Sequence, residues 1–245
     1  MKKSHDEEPD QARREVVLFL GSFAAAGLFG CSGSGRAASE SAGGPSSPPS
    51  TSSCVVRPQQ TEGPFFVDER LNRSDIRADP TLGLARAGVP LRLGFLVSRS
   101  AGSTCMPLAG VLVDVWHCDA TGAYSDLGSN SGTKFLRGYQ ATDAAGAAQF
   151  TTIYPGWYNG RAVHIHFKIR NSPGAGPGFE FTSQLYFDDA LTDLVYAQPP
   201  YNSRGRRDTT NQRDGIFAAG GSQLLLPLTA DGPGYAGTFD IALQI

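Results

Sequence analysis

Apolar and polar side chains alternate along several short segments of this chain, most clearly at residues 91–97 and 111–115. A period of two is that of a β-strand with one buried face. The remaining segments with strand character are 149–153, 162–169, 181–187, 222–227 and 237–243. The chain is therefore expected to be all-β.

Turn signals separate these segments, as at residues 143–146 and 231–234, and the 245 residues include 30 glycines and 16 prolines. One short helix is predicted from Asp189 to Ala197, where an acidic start is followed by Pro199 and Pro200. Several short strands without intervening helices favour an antiparallel β-sandwich with long loops and one short helix.

The charge balance gives no reason to expect a nucleic-acid partner, because the formal net charge is -2. Arg204, Arg206 and Arg207 form a small basic cluster, with Asp208 and Asp214 close behind. Short clusters of mixed charge are usually solvated, so this stretch is expected to be a loop exposed to water.

The first residues have the features of an export signal, expected to cover residues 1–31. The apolar run 16–30 is shorter than the roughly 20 residues of a membrane-spanning helix. Arg13 and Arg14 precede it, which resembles a twin-arginine signal. The sequence ending at Cys31 resembles a lipoprotein processing site, and simple cleavage is the alternative. The protein is expected to be exported to the periplasm, cell surface or medium, with a possible lipid anchor at Cys31.

Residues 32–53 are almost entirely Ser, Gly, Ala and Pro, and are expected to form a linker before a catalytic domain at 54–245. In an oxidising compartment Cys54 and Cys105 could form a disulfide. Cys118 is expected to be a buried free thiol.

Two histidines, His164 and His166, flank one residue in a strand segment, which places both side chains on one face, roughly 6–7 Å apart. One metal ion could bind both imidazoles. The alternative is a pair of half-exposed histidines bonded to their neighbours. The opposite face carries a row of apolar side chains: Val163, Ile165, Phe167 and Ile169.

Two tyrosines lie where strands lead into turns, Tyr158 just before the histidine strand and Tyr124 after the segment 111–118. Either one alone is more typical of a core or rim residue. Together with the histidines they offer nitrogen and phenolate ligands without sulfur, which favours a hard ion such as Fe(III). A zinc or copper site with different chemistry is the alternative.

Seven sequence blocks in the folded region resemble, in the same order, those of a known enzyme family. They are 59–66 (QQTEGPFF), 114–119 (DVWHCD), 137–143 (RGYQATD), 150–158 (FTTIYPGWY), 160–167 (GRAVHIHF), 183–187 (SQLYF) and 207–211 (RDTTN). This ordered set resembles the intradiol ring-cleavage dioxygenase family, and within it the protocatechuate 3,4-dioxygenase β-chain-like group with its exported relatives. The family fold is a β-sandwich, in agreement with the strand pattern.

The resemblance implies one Fe(III) ion per chain, held by Tyr124, Tyr158, His164 and His166. Tyr158 would be the phenolate that leaves when substrate arrives. Arg161 matches an arginine that stabilises negative charge on the substrate ring, and Gln184 a polar residue near the iron. His117 matches no ligand and is expected to be a buried structural histidine.

The implied reaction is intradiol cleavage of a catechol-type ring by O2 to a cis,cis-muconic acid derivative. A non-catalytic exported β-sandwich that binds or anchors another molecule is the alternative. The ring substituent would be selected by loop residues such as Phe65, Phe66 and Trp157. Nothing in the sequence indicates an oligomeric state.

Overall fold

The computed structural model describes residues 54–102, 104–172 and 178–245. The expected export signal with Cys31, and the expected linker, lie outside these residues. The described residues contain nine β-strands: β1 Pro90–Ala101, β2 Thr104–Pro107, β3 Leu112–Trp116, β4 Arg137–Ala141, β5 Ala147–Ile153, β6 His164–Arg170, β7 Glu180–Tyr186, β8 Thr229–Asp231 and β9 Gly234–Leu243.

Two sheets face each other, which confirms the predicted β-sandwich. In one sheet the order is β2-β1-β9-β8, with β5 also paired to β1. In the other the order is β4-β3-β6-β7, and all its pairings are antiparallel. The pair β1 and β9 is parallel, so the first sheet is mixed and not wholly antiparallel as predicted.

The space between the sheets is filled by the alternating apolar residues. Phe167 of β6 is fully buried, and its ring lies 5.3 Å from Phe95 of β1 and 5.8 Å from Phe239 of β9. Burying an aromatic side chain of this size stabilises the fold by roughly 1.5–3 kcal/mol. Because Phe167 faces the core, His166 beside it must point out of the sandwich.

The helices among the described residues are short. The helix α1 spans Asp189–Tyr196, one residue shorter than predicted, and the Asp188 side chain caps it by accepting from Leu191 N–H at 2.9 Å. Four 3₁₀ turns accompany it: Gly128–Asn130, Tyr201–Arg204, Asn211–Arg213 and Gly221–Leu224. No helix in the described part of the chain is long and apolar enough to cross a membrane.

The strand predicted at 222–227 is wrong. Gly221–Leu224 is a 3₁₀ turn, and only Leu225 pairs with a strand, through one bridge to Tyr186. Leu224 and Leu226, two apolar residues of this stretch, are nevertheless buried because the turn packs against β7. Apolar content alone does not distinguish such a turn from a strand.

An extended segment, residues 58–73 (the N-terminal segment), lies across the outer face of the second sheet. Ser183 and Gln184 of β7 donate to the carbonyls of Pro58 and Thr61, both at 2.9 Å. At the other end, Tyr139 N–H of β4 donates to Leu71 O at 2.8 Å. The histidine face of β6 is therefore covered by protein.

The three cysteines in the described part of the chain behave as predicted. Cys54 and Cys105 form a disulfide that joins the start of the described chain to β2. Cys118 is a buried free thiol that donates to Gly156 O at 3.4 Å.

Candidate active site

The two histidines of β6 point to one place on the covered face of the sheet. His164 is 2% exposed and His166 is fully buried. Nδ1 of His164 lies 2.6 Å from Ala162 O, and because a carbonyl can only accept, this nitrogen carries the proton. Its Nε2 therefore presents a lone pair, 3.0 Å from Nε2 of His166.

Both imidazoles are neutral at ordinary pH. Burial lowers the pKa of His164 to about 3, and the positive charge of Arg161 acts in the same direction. Burial also lowers the pKa of His166 well below its usual value, with a further contribution from His164. Neutral imidazole is the form that binds metals.

Tyr158 stands beside this pair, at the end of the turn that leads into β6. The backbone approaches closely here, since a Cβ on Gly156 would lie 2.3 Å from Asp119 O. The hydroxyl of Tyr158 is 3.1 Å from Nε2 of His164. Tyr158 is only partly buried, whereas Tyr124, His164 and His166 are buried.

Tyr124 reaches the same place from the loop after β3. That loop is held by Asp119, whose Oδ1 accepts from Thr121 N–H at 2.9 Å and Ala123 N–H at 3.1 Å. The ring of Tyr124 is 5.7 Å from that of Tyr158. Its hydroxyl is buried and has no hydrogen-bond partner among the described residues.

The unpaired hydroxyl of Tyr124 is the observation that tests whether a metal ion suits this cluster. A buried polar atom without a partner costs about 1–3 kcal/mol, and a bound cation would remove that cost. Nδ1 of His166 also lacks a partner among the described residues, but it lies across the ring from the Nε2 that approaches His164. The described residues contain no group of three His, Cys, Asp or Glu side chains that could hold a metal ion. In this cluster the phenol oxygens of Tyr124 and Tyr158 are the further candidate ligands.

The spacing of the imidazoles also suits an ion. Two nitrogens bound at about 2.1 Å and at right angles around one cation lie roughly 3.0 Å apart, which is the distance between the two Nε2 atoms.

Burial raises the pKa of Tyr124 well above 10 and also raises that of Tyr158, although Arg161 opposes the second shift. Only a strong positive charge would turn these phenols into phenolates. The donor set therefore fits a hard, highly charged ion.

Arg161 and Gln184, the two polar residues that the resemblance implies near the ion, lie together at the edge of the cluster. Nη2 of Arg161 donates to Oε1 of Gln184 at 2.6 Å, and Gln184 is fully buried in β7. The amide of Gln184 donates in turn to Thr61 O of the N-terminal segment. A cation is thus held within reach of Tyr158, where it opposes the rise that burial causes in the pKa of that phenol.

The prediction that the basic cluster from Arg204 to Arg207 and the aspartates after it form a solvated loop is wrong for Arg207 and Asp214, although Arg206 and Asp208 are exposed. Arg207 is only 8% exposed and forms ion pairs with Asp189 at 2.5 Å and Asp193 at 2.9 Å. Asp214 is also buried and forms an ion pair with Arg161 at 2.9 Å. The charges are paired across long sequence separations, which a local reading of composition does not reveal.

The N-terminal segment forms the cover of the cluster. A Cβ on Gly63, which has φ +71°, would lie 3.3 Å from Cε1 of His166. The ring of Phe65 packs 4.4 Å from that of Tyr124 and 5.9 Å from that of Tyr158. Of the aromatic residues expected to face the substrate, Phe65 is thus in contact with the cluster.

The ring contacts of the other two aromatic residues are with different partners. Phe66 packs 4.8 Å from Trp116, and the ring of Trp116 stacks on His166 at 5.0 Å. Trp157 belongs to the main core, with the guanidinium of Arg204 over its ring at 4.4 Å. His117 is fully buried, with its ring nitrogens bonded to Cys118 O and Thr152 Oγ1, and so has the structural role that was predicted.

The family model for dioxygenases named Dioxygenase_C matches residues 61–200, more than half of the chain. The chain belongs to the intradiol ring-cleavage dioxygenase family. The match includes the histidine strand, both tyrosines, Arg161 and Gln184, and it ends before Asp214.

Similar solved structures come from this family. An intradiol ring-cleavage dioxygenase from Tetranychus urticae is 28% identical, covers 78% of this chain and 95% of its own, and has a TM-score of 0.68. The dioxygenase domain of a dioxygenase carbohydrate-binding protein fusion from Streptomyces sp. SirexAA-E is 32% identical over 78% of this chain and 99% of its own, with a TM-score of 0.55.

Curated relatives match over shorter stretches. A chlorocatechol 1,2-dioxygenase from Pseudomonas putida is 32% identical over 100 residues, which is 33% of this chain and 36% of the relative. Another, from Cupriavidus pinatubonensis, is 28% identical over 54% of this chain and 56% of the relative. This intradiol dioxygenase family member therefore spans between a third and just over half of the length of these curated relatives.

Proposed function

We propose that this protein binds one Fe(III) ion per chain and uses it to cleave a catechol-type ring between its two hydroxyl-bearing carbons. The observation that carries the proposal is the convergence of two neutral imidazoles and two phenols, with the hydroxyl of Tyr124 buried and unpaired among the described residues. Tyr124, Tyr158, His164 and His166 would hold the ion. Family membership supports the same chemistry.

A bound ferric ion would act as a Lewis acid that binds both oxygens of the catechol and favours the dianion. Tyr158, as a phenolate on the ion, is the residue suited to accept a substrate proton, because it is the least buried of the four residues. Tyr124 is buried under Phe65 and is suited to stay in place throughout.

Arg161 would stabilise the negative charge that develops on the ring. Its side chain is 15% exposed, so its charge acts through a medium with little water, where a fixed cation is worth several kcal/mol. Phe65 limits the access of water from the side of the N-terminal segment. With O2 as the second substrate, the product would be a cis,cis-muconic acid derivative.

The test compares the substitutions Tyr158→Phe and His164→Ala with Tyr139→Phe, which changes a half-buried tyrosine on β4 outside the cluster. We expect the first two variants to lose most of their iron or most of their catechol-dependent O2 uptake, and the third to keep both. Unchanged iron content and turnover in both site variants would contradict the proposal.

Colour and magnetic resonance provide a second check on the same proteins. Ferric phenolate ligation gives a burgundy absorption by charge transfer, together with a high-spin ferric signal. A colourless protein that contains iron would contradict tyrosine ligation, and a cupric signal with full activity would contradict the choice of iron.

We further propose that the protein is exported, with residues 1–31 as the signal, residues 32–53 as a linker and Cys31 as a lipid anchor. The apolar run and the polar, Ser-rich stretch after it support this order. Fractionation of cells that express the full chain and its Cys31→Ser variant tests the proposal. We expect the wild-type protein in the membrane fraction and the variant in the soluble exported fraction.

A further inference from the structure

Arg161 is held at two of its three guanidinium nitrogens by groups from different parts of the chain. Nε donates to Oδ2 of Asp214 at 2.9 Å, and Nη2 donates to Oε1 of Gln184 at 2.6 Å. Nη1 has no hydrogen-bond partner among the described residues. A planar guanidinium fixed at two corners can present the third in only one direction.

Asp214 is itself firmly placed. Its side chain is 1% exposed, and its carboxylate also accepts from the N–H groups of Ala162 and Ile216, both at 2.7 Å. Burial alone would raise the pKa of Asp214, but the bond from Ala162 and the charge of Arg161 outweigh it, and the pKa is lowered. The carboxylate is therefore a fixed anion.

The hydrogen bonds continue from Gln184 back to the loop of Asp214. The hydroxyl of Tyr186 donates to Gln60 Oε1 at 2.8 Å and lies 3.2 Å from Oε1 of Gln184. The amide of Gln60 donates to Ile216 O at 2.9 Å, two residues after Asp214. These bonds form a closed ring around Arg161 that joins β7, the N-terminal segment and the loop after 210.

We infer that Asp214 is a positioning residue, which orients Arg161 so that the free Nη1 corner faces the substrate position beside Tyr158. The inference rests on the proposed function. Asp214 itself touches no donor atom of the cluster and acts only through Arg161. A displacement of a catalytic group by about 1 Å costs on the order of 100-fold in rate, so a loosened arginine affects turnover more than binding.

The first experiment compares Asp214→Asn with Asp208→Asn, the same change on an exposed aspartate of the same loop. We expect Asp214→Asn to lower kcat by roughly 10- to 100-fold, with KM and iron content changed less than about twofold. Asp208→Asn should match wild type. An unchanged kcat in Asp214→Asn would overturn the inference.

A double-mutant cycle separates positioning from a purely structural role. In the background Arg161→Met, Asp214→Asn should have almost no further effect on kcat per bound iron, because the group that Asp214 orients is gone. A loss of the same size in both backgrounds would overturn the inference, as would a lower melting temperature without any change in kcat per iron.

Nitrogen NMR of the iron-free protein gives a readout independent of activity. We expect the Arg161 Nε–H to exchange with water at least about 10-fold faster in Asp214→Asn than in wild type or Asp208→Asn. Equal exchange would overturn the inference even if kcat falls. If wild type does not cleave catechols, the proposed function fails, and this exchange measurement alone decides whether Asp214 orders Arg161.

Discussion

Arg137 of β4 donates a 2.7 Å hydrogen bond to the backbone carbonyl of Phe65, the residue whose ring covers Tyr124. Arg137 is 3% exposed, and its other bonds go to the hydroxyl and carbonyl oxygens of Ser125, both at 2.7 Å. No acidic side chain in the described residues forms an ion pair with it. This buried cation joins the N-terminal segment, β4 and the loop of Tyr124.

Replacing Arg137 by Met should lower the free energy of unfolding by about 3 kcal/mol, because the carbonyls of Phe65 and Ser125 would stay buried without their charged donor. Chemical denaturation measures the change. The control is Arg99→Met on an exposed position of β1, which should stay within about 0.5 kcal/mol of wild type. Equal stabilities of the two variants would contradict this role.

Substitution of Gly63 by Ala should weaken iron binding as well as stability. The left-handed backbone at φ +71° costs about 1–2 kcal/mol for a residue with a Cβ, and the new methyl group would press on His166. Gly83→Ala is a matched control, since φ is +69° there and nothing lies within 4 Å. Both variants should lose similar stability, whereas iron dissociation should become faster only in Gly63→Ala. Equal rates in both would argue against contact with His166.

Acid should destabilise the protein partly through His117. Burial lowers the pKa of His117 to about 4 in the folded protein, against an ordinary value of 6.5. Because the unfolded chain takes up this proton first, stability falls as the pH drops from about 6.5 to about 4, by roughly 3 kcal/mol in total. The stability difference between wild type and His117→Gln should shrink by that amount over this range. A pH-independent difference would show that His117 does not contribute.

Loss of the disulfide should lower stability without affecting the cluster. Cys54 and Cys105 are separated by 51 positions, and closing a loop of this size stabilises a fold by about 3–4 kcal/mol. Thermal unfolding of the double variant Cys54→Ser, Cys105→Ser measures the effect. Iron content should match wild type, because the bond lies on the first sheet and the histidines on the second. An unchanged melting temperature would contradict the prediction.

The fold was predictable where one physical pattern dominates. β1, β3, β5, β6, β7 and β9 have alternating or apolar sequences, and each was expected within a few residues. β4 was missed because its buried residue is Arg137, whose burial depends on carbonyls far away in sequence. β2 and β8 are short strands with mostly exposed side chains, so they carry no apolar alternation.

Some residues of the candidate site could likewise be proposed from the sequence, and others could not. His164 and His166 follow from strand geometry, and the tyrosines from the family resemblance. Asp214 could not be found, since it lies among other charges and meets Arg161 only through the fold. Its burial, and that of Arg207 against α1, is a tertiary property for which local composition contains no signal.

The N-terminal segment and the loop of Asp214 meet around the same few side chains, although they lie near opposite ends of the described chain. A nascent polypeptide emerging from the ribosome cannot assemble this arrangement until almost all of the domain has been synthesised. Under the proposed function, the enclosed surroundings of the ion are therefore completed only late in folding, after both segments have docked.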